Sequence, residues 1–201
     1  MLLVALTGGI GCGKTYVTKI FEKLKIPIIY ADNIAKDLLY NDKNICNQVK
    51  QYFNIADVQK NIKNIKINIF SNKKHRLFLE KLIHPKVIEH IVLQIRNLAI
   101  DINKSNNYCI IEIPMLLNLL EILSKIKIDK IILINCYPAL QISRVMQRDK
   151  LTRSQVVSIL RSQLAIKKIN NVADYILDGS KLKNIEQEII NLDQKLRHRS
   201  C

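Results

Sequence analysis

Eight consecutive residues, Gly8-Gly9-Ile10-Gly11-Cys12-Gly13-Lys14-Thr15, fit G-x-x-x-x-G-K-[ST] in full. Glycines in that pattern let successive backbone N–H groups turn inward around phosphate oxygens, and a helix opening near Gly13 adds the positive end of its dipole. Lys14 has the reach to meet β- and γ-phosphates, and the Thr15 hydroxyl is a suitable Mg²⁺ ligand. A glycine turn that merely joined a strand to a helix would have no use for Lys14-Thr15. The nucleotide-binding set is therefore Gly9, Gly11, Cys12, Gly13, Lys14, Thr15 and Tyr16, with Cys12 a small filler at a variable position. Glycine is scarce elsewhere. The chain has five, four of them between positions 8 and 13, and the fifth is Gly179.

A second chemical candidate follows at Tyr30-Ala31-Asp32. In an α/β sheet the carboxyl end of a strand faces the ligand crevice, which puts Asp32 near a γ-phosphate. A carboxylate there can take the proton of an acceptor hydroxyl and orient it for in-line attack. The alternative is that Asp32 caps a helix beginning at Asn33. Arg144 and Arg148 lie four residues apart and share a helix face. Residues 144–168 hold seven Lys/Arg against one acid, Asp149. Paired guanidiniums would stabilise charge on a transferring phosphoryl group, the alternative being a solvated basic face.

These groups need elements to hold them. Apolar runs at 2–6, 26–30, 108–113, 130–136 and 174–178 have the length and continuity of buried parallel strands. Helical spacing follows most of them, at 15–24, 138–148 and 181–196. Alternating strand and helix argues for a parallel sheet with helices on both faces. Residues 32–104 break the rhythm with helical patterns at 33–39, 45–53, 74–83 and 87–100, and a polar stretch at 59–72 that is either loop or exposed helix. A second insertion covers 149–172 and opens with the capping-box signature Thr152-x-x-Gln155. The expected architecture is a P-loop α/β/α core of 1–31, 105–148 and 173–201 around a five-stranded parallel sheet. Residues 32–104 form a helical acceptor insertion and 149–172 a lid.

Composition narrows the classes. With 48% hydrophobic and 24% charged residues the chain is globular in type, and no apolar run approaches the ~18 residues of a membrane helix. The apolar start is short and lacks a positive leader. Five scattered cysteines, none in a C-x-x-C pair, suit a reducing cytoplasm. A net charge of +15, from 32 basic and 17 acidic residues, favours anionic partners. The joint abundance of Lys, Ile and Asn also fits biased coding. No Asp is followed three residues later by Gly, which excludes switch GTPases. Ile110-Ile111-Glu112 keeps remodelling ATPases, including nucleic-acid-associated ones, open. Small phosphotransferases match the two insertions better.

Six segments together carry a resemblance. Gly8 to Thr15, Tyr30-Ala31-Asp32-Asn33-Ile34-Ala35, Ile83-His84-Pro85, Ile113-Pro114-Met115-Leu116-Leu117, Arg144-Val145-Met146-Gln147-Arg148-Asp149 and Ala173-Asp174-Tyr175-Ile176-Leu177-Asp178 resemble dephospho-coenzyme A kinases, in that family's order and over nearly the whole chain. The resemblance implies a nucleoside-kinase-like core, a coenzyme-A-binding insertion and an Arg-bearing lid. It implies ATP- and Mg²⁺-dependent phosphorylation of a ribose 3′-hydroxyl, with small-molecule substrates and neither nucleic acid nor membrane as partner. It carries over Asp32 as base, Lys14 as phosphate binder, Arg144 and Arg148 as lid arginines, and Asp32, His84, Pro114 and Leu116 as acceptor contacts. His84 before Pro85 also reads as a helix-end hydrogen bonder. Tyr30, Asn118 and Gly179 depart from the family's usual Asp, Glu and Asn.

Overall fold

A computed structural model describes residues 1–100, 107–113, 125–163 and 171–198. The apolar runs form β1 (Leu2–Gly8), β2 (Ile28–Tyr30), β3 (Tyr108–Glu112), β4 (Lys130–Asn135) and β5 (Tyr175–Asp178). They make one parallel sheet in the order β2-β3-β1-β4-β5. β1 is central, and its residues from Val4 to Gly8 are buried on both faces, which is why they read as one apolar run without alternation.

The period-two alternation of the strands sorts the core into two faces. Val4, Leu6, Ile110, Ile132 and Ile134 pack on Val17, Ile20 and Phe21 of α1 (Lys14–Lys23) and on Ile185, Ile189 and Leu196 of α8 (Leu182–His198). Ala5, Ile29, Ile111 and Leu133 face the other way. They meet a helical layer of α2 (Ala31–Asn41), α3 (Lys43–Phe53), α4 (Val58–Ser71) and α5 (Lys73–Ile100). The result is three layers, as the alternating pattern requires. The last helix is pinned to the sheet by a buried polar contact: Tyr108 Oη donates to Asp193 Oδ1 at 2.6 Å, and Arg197 Nε donates to the same carboxylate at 2.9 Å. After β4 come α6 (Pro138–Asp149) and α7 (Arg153–Ser162), the latter opened by the full capping box of Thr152 and Gln155. Among the described residues no helix is long and apolar enough to cross a membrane.

Three local readings are decided by the structure. The polar stretch at 59–72 is helix α4, and it is not merely exposed: Ile65 and Ile69, four apart, are buried, and Asp57 caps its start by accepting from Lys60 N at 2.9 Å. The two helices expected at 74–83 and 87–100 are one, α5, running through Pro85. A proline inside a helix costs about 3 kcal/mol. Burial of Ile83, His84, Val87, Ile88 and Ile91 on either side of it offsets that cost. His84 is consequently inside a helix and not at its end. Finally, α2 begins at Ala31 directly after β2, with Tyr30 in the capping position, so Asp32 lies in the first turn and makes no capping bond.

Candidate active site

The phosphate loop leaves β1 at the centre of the sheet and enters α1. Gly11 and Gly13 have φ of 75° and 99°, left-handed values that disfavour any residue with a Cβ. Each loop carbonyl from Gly8 to Gly11 accepts a hydrogen bond. Lys14 Nζ donates to Gly8 O at 2.7 Å and Gly9 O at 3.2 Å. Gln141 Nε2 donates to Ile10 O at 2.9 Å, and Arg144 Nη1 to Gly11 O at 3.2 Å. With the carbonyls held, the amides of Gly11, Gly13, Lys14 and Thr15 find no acceptor among the described residues, and no side chain caps α1. An anion can satisfy those amides together.

The rest of the loop's support comes from across the sheet. Arg144 Nη1 also donates to Gly179 O at 2.9 Å, joining the loop to the end of β5. A Cβ on Gly179 would lie 2.0 Å from Cys12 O, so the fifth glycine exists for close approach to the loop. Cys12 itself is buried, and burial, with Cys136 beside it, pushes its thiol up to about 11, the state of an inert filler.

Three charged groups converge beyond the loop. Parallel register aligns Leu6 of β1, Glu112 of β3 and Tyr30 of β2, so Glu112 stands between the loop and the strand end that carries Asp32. Burial raises the pKa of Glu112, Asp32 raises it further, and Lys14 opposes both. Burial lowers the pKa of Lys14, and Glu112, Cys12 and Asp32 oppose that shift. One cavity of about 1300 Å³ contains all three with Thr15, Arg144 and Arg148. It extends over α2, α4 and α5, where Lys36, Lys63, Lys66, Arg76 and His84 line it beside apolar Leu39, Ile65, Phe70 and Ile83. Arg148 forms a two-pronged pair with Asp149, both contacts 2.7 Å, so the two arginines on α6 differ in duty. Arg144 braces backbone; Arg148 is exposed at the cavity.

Of the residues singled out in the sequence, the phosphate loop with Lys14 and Thr15, Asp32, His84, Arg144 and Arg148 all meet this cavity. Cys12 and Tyr16 are not among its lining residues; Cys12 is buried behind the loop and Tyr16 is exposed on α1. Pro114 and Leu116 lie outside the described residues, as does Asn118. Sequence reading missed Gln141 and Gln163, which belong to no motif and contact the loop across 131 and 153 residues. It weighed Glu112 only as the strand-end acid of a remodelling ATPase.

A phosphate loop on the central strand of this parallel sheet, facing a helical wall across a basic cavity, defines a P-loop phosphotransferase. The chain belongs to the dephospho-CoA kinase family, whose profile matches residues 2–184. It is 34% identical over 202 residues to the dephospho-CoA kinase of Colwellia psychrerythraea, covering 96% of this chain and 95% of that one. The Helicobacter pylori dephospho-CoA kinase is 31% identical over 192 residues, 92% and 93% of the two chains. In structure it is similar to the dephospho-CoA kinase of Campylobacter jejuni, with a TM-score of 0.61, 28% identity and 96% of each chain covered. A Thermus thermophilus structure shares the fold with a TM-score of 0.70 at 21% identity, covering 94% of this chain and 96% of that one.

Proposed function

We infer that this chain carries out its family's reaction, the ATP-dependent phosphorylation of the ribose 3′-hydroxyl of dephospho-CoA that completes coenzyme A. The observation that carries the reading is the convergence of the phosphate loop, Lys14, Glu112 and Asp32 in one cavity that continues over the helical wall. The family supports ATP and dephospho-CoA as the small-molecule substrates, and we expect the enzyme to work in the cytoplasm.

We assign the roles as follows. Loop amides and the start of α1 hold the β-phosphate, and Lys14 exchanges its carbonyl partners for β- and γ-phosphate oxygens. Asp32 accepts the proton of the 3′-hydroxyl as that oxygen attacks the γ-phosphorus; the bond to the β-phosphate oxygen breaks and ADP leaves. Arg148 lies on the cavity side where charge builds on the transferring group, and Arg144 keeps the loop in shape. Mg²⁺ suits the donors present: the Thr15 hydroxyl and the Glu112 carboxylate are hard oxygen ligands, and the ion would neutralise charge shared by the β- and γ-phosphates. Acceptor contacts fall to His84 and the 32–104 insertion, with 149–172 as the lid. The remaining residues form the core.

The test is ADP release with dephospho-CoA as acceptor, compared with DNA and RNA, together with mass detection of the 3′-phosphorylated product. We expect stoichiometric product with dephospho-CoA. Stimulation by nucleic acid alone, without product, would overturn the reading.

A further inference from the structure

Gln163 follows α7 and is distant from the phosphate loop in sequence, yet Ile10 N–H donates to its Oε1 at 3.0 Å. The residue is only 6% exposed, and it lines the cavity with Gly9, Gly11 and Lys14. The carboxamide has two ends, and one is occupied. Its Nε2 has no partner among the described residues, and no fully buried side-chain nitrogen or oxygen among them lacks one. Nε2 therefore opens into the cavity, where it can donate to a ligand oxygen.

We propose that Gln163 fixes its amide on Ile10 N–H and donates Nε2 to the γ-phosphate of bound ATP. This rests on reading the cavity as the ATP site. Ile10 belongs to the first half of the loop, the half against which the Lys14 ammonium rests through Gly8 O and Gly9 O. The amides that open α1 take the β-phosphate on the other half, so the group beside Ile10 meets the terminal phosphate. A neutral donor suits this place, because Lys14, Arg144 and Arg148 already crowd the cavity with positive charge. The contact also makes the segment after Asp149 sensitive to the nucleotide. With ATP bound both ends of the Gln163 amide are satisfied, whereas with ADP only the end on Ile10 is, so the product state is held more loosely.

Two variants and one wild-type measurement test this. Gln163→Glu keeps an acceptor for Ile10 N–H, removes the donor and adds a negative charge; Gln163→Leu removes both. Calorimetry with a β,γ-imido ATP analogue and with ADP reads the contact without any acceptor. For Gln163→Glu we expect about tenfold or greater weakening of the analogue, with ADP affinity held within about twofold. Equal weakening of both nucleotides, or no weakening, would overturn the assignment. In unliganded wild-type protein the Ile10 amide should exchange its hydrogen slowly, and faster in Gln163→Leu. If Ile10 exchanges in wild-type protein at the rate of an unprotected loop, the anchor is absent and the proposal fails, whatever the stability of the variants. A wild-type enzyme that binds the analogue as described but does not phosphorylate dephospho-CoA would count against the substrate reading alone.

Discussion

At the nucleotide end of the cavity, four consecutive loop carbonyls are tied by Lys14, Gln141 and Arg144, and the glycine just after β5 sits where no Cβ fits. At the proposed acceptor end, Lys36, Lys63, Lys66, Arg76 and Glu80 line the cavity; Lys63 and Lys66 are exposed side chains three residues apart on α4, and Arg76 is paired with Glu80. One end offers an anion backbone amides whose geometry is over-determined. The other presents, in Lys63 and Lys66, long exposed cations on a helix surface, screened by water and salt. The difference teaches where sensitivity lies: a single atom added at the first end is felt by the whole loop, while a charge removed at the second changes only a local potential. Asp32 stands at the boundary, on the first turn of the helix that joins the two ends.

The largest expected effect is therefore at that boundary. Since Tyr30 and not Asp32 occupies the capping position of α2, Asp32→Asn leaves the cap intact and removes a proton acceptor together with one negative charge near Lys14 and Glu112. Turnover should fall by roughly 10²–10⁴, the scale of a lost general base. ATP affinity should not fall, because the loop's amides and the Lys14 side chain stay in place and the lost charge is negative. Steady-state kinetics combined with nucleotide titration checks both halves, and near-normal turnover would remove Asp32 from the chemistry.

Next comes Gly179→Ala, which tests the over-determined end from behind. The added methyl would lie 2.0 Å from Cys12 O, so the loop or the end of β5 must move. Overpacking of this kind costs about 1–3 kcal/mol, read as a lower unfolding midpoint in denaturant. Affinity for ATP and ADP should drop together, because the cradle is displaced as a unit. Acceptor affinity should change little. A variant with normal stability and normal nucleotide affinity would show that the loop is softer than its hydrogen bonds imply.

The same contrast explains what could be read from the sequence. Backbone-built features announce themselves, because glycine at fixed spacing and continuous apolar strands are local signals. The loop and all five strands were legible for that reason. Helical features were blurred where local signals conflicted: Ile65 and Ile69 were hidden among Asn and Lys in α4, and Pro85 suggested a break that burial around it overrides. Contacts between distant segments left no trace. Gln141 and Gln163 reach the loop by tertiary geometry alone, and the place of Glu112 beside Asp32 follows from strand register, which no spacing along the chain reports. Gly179 was visible as an isolated glycine, but its reason, the closeness of Cys12 O, is a fact of packing.

The smallest expected effect belongs to the exposed end. Lys63 and Lys66 line the cavity from α4. An anionic acceptor should gain from their charge by attraction through water, worth about 1 kcal/mol or less per group. The double variant Lys63→Ala, Lys66→Ala should thus raise the KM for dephospho-CoA several-fold at low salt. Neither kcat nor the KM for ATP should move, since the loop and Asp32 do not depend on α4 for their hydrogen bonds. Added salt should erode the difference, because screening at ~0.15 M shortens the reach of exposed charges to about 8 Å. A KM effect that survives high salt undiminished would mean that these lysines grip the acceptor directly, and would make the two ends of the cavity more alike than their construction suggests.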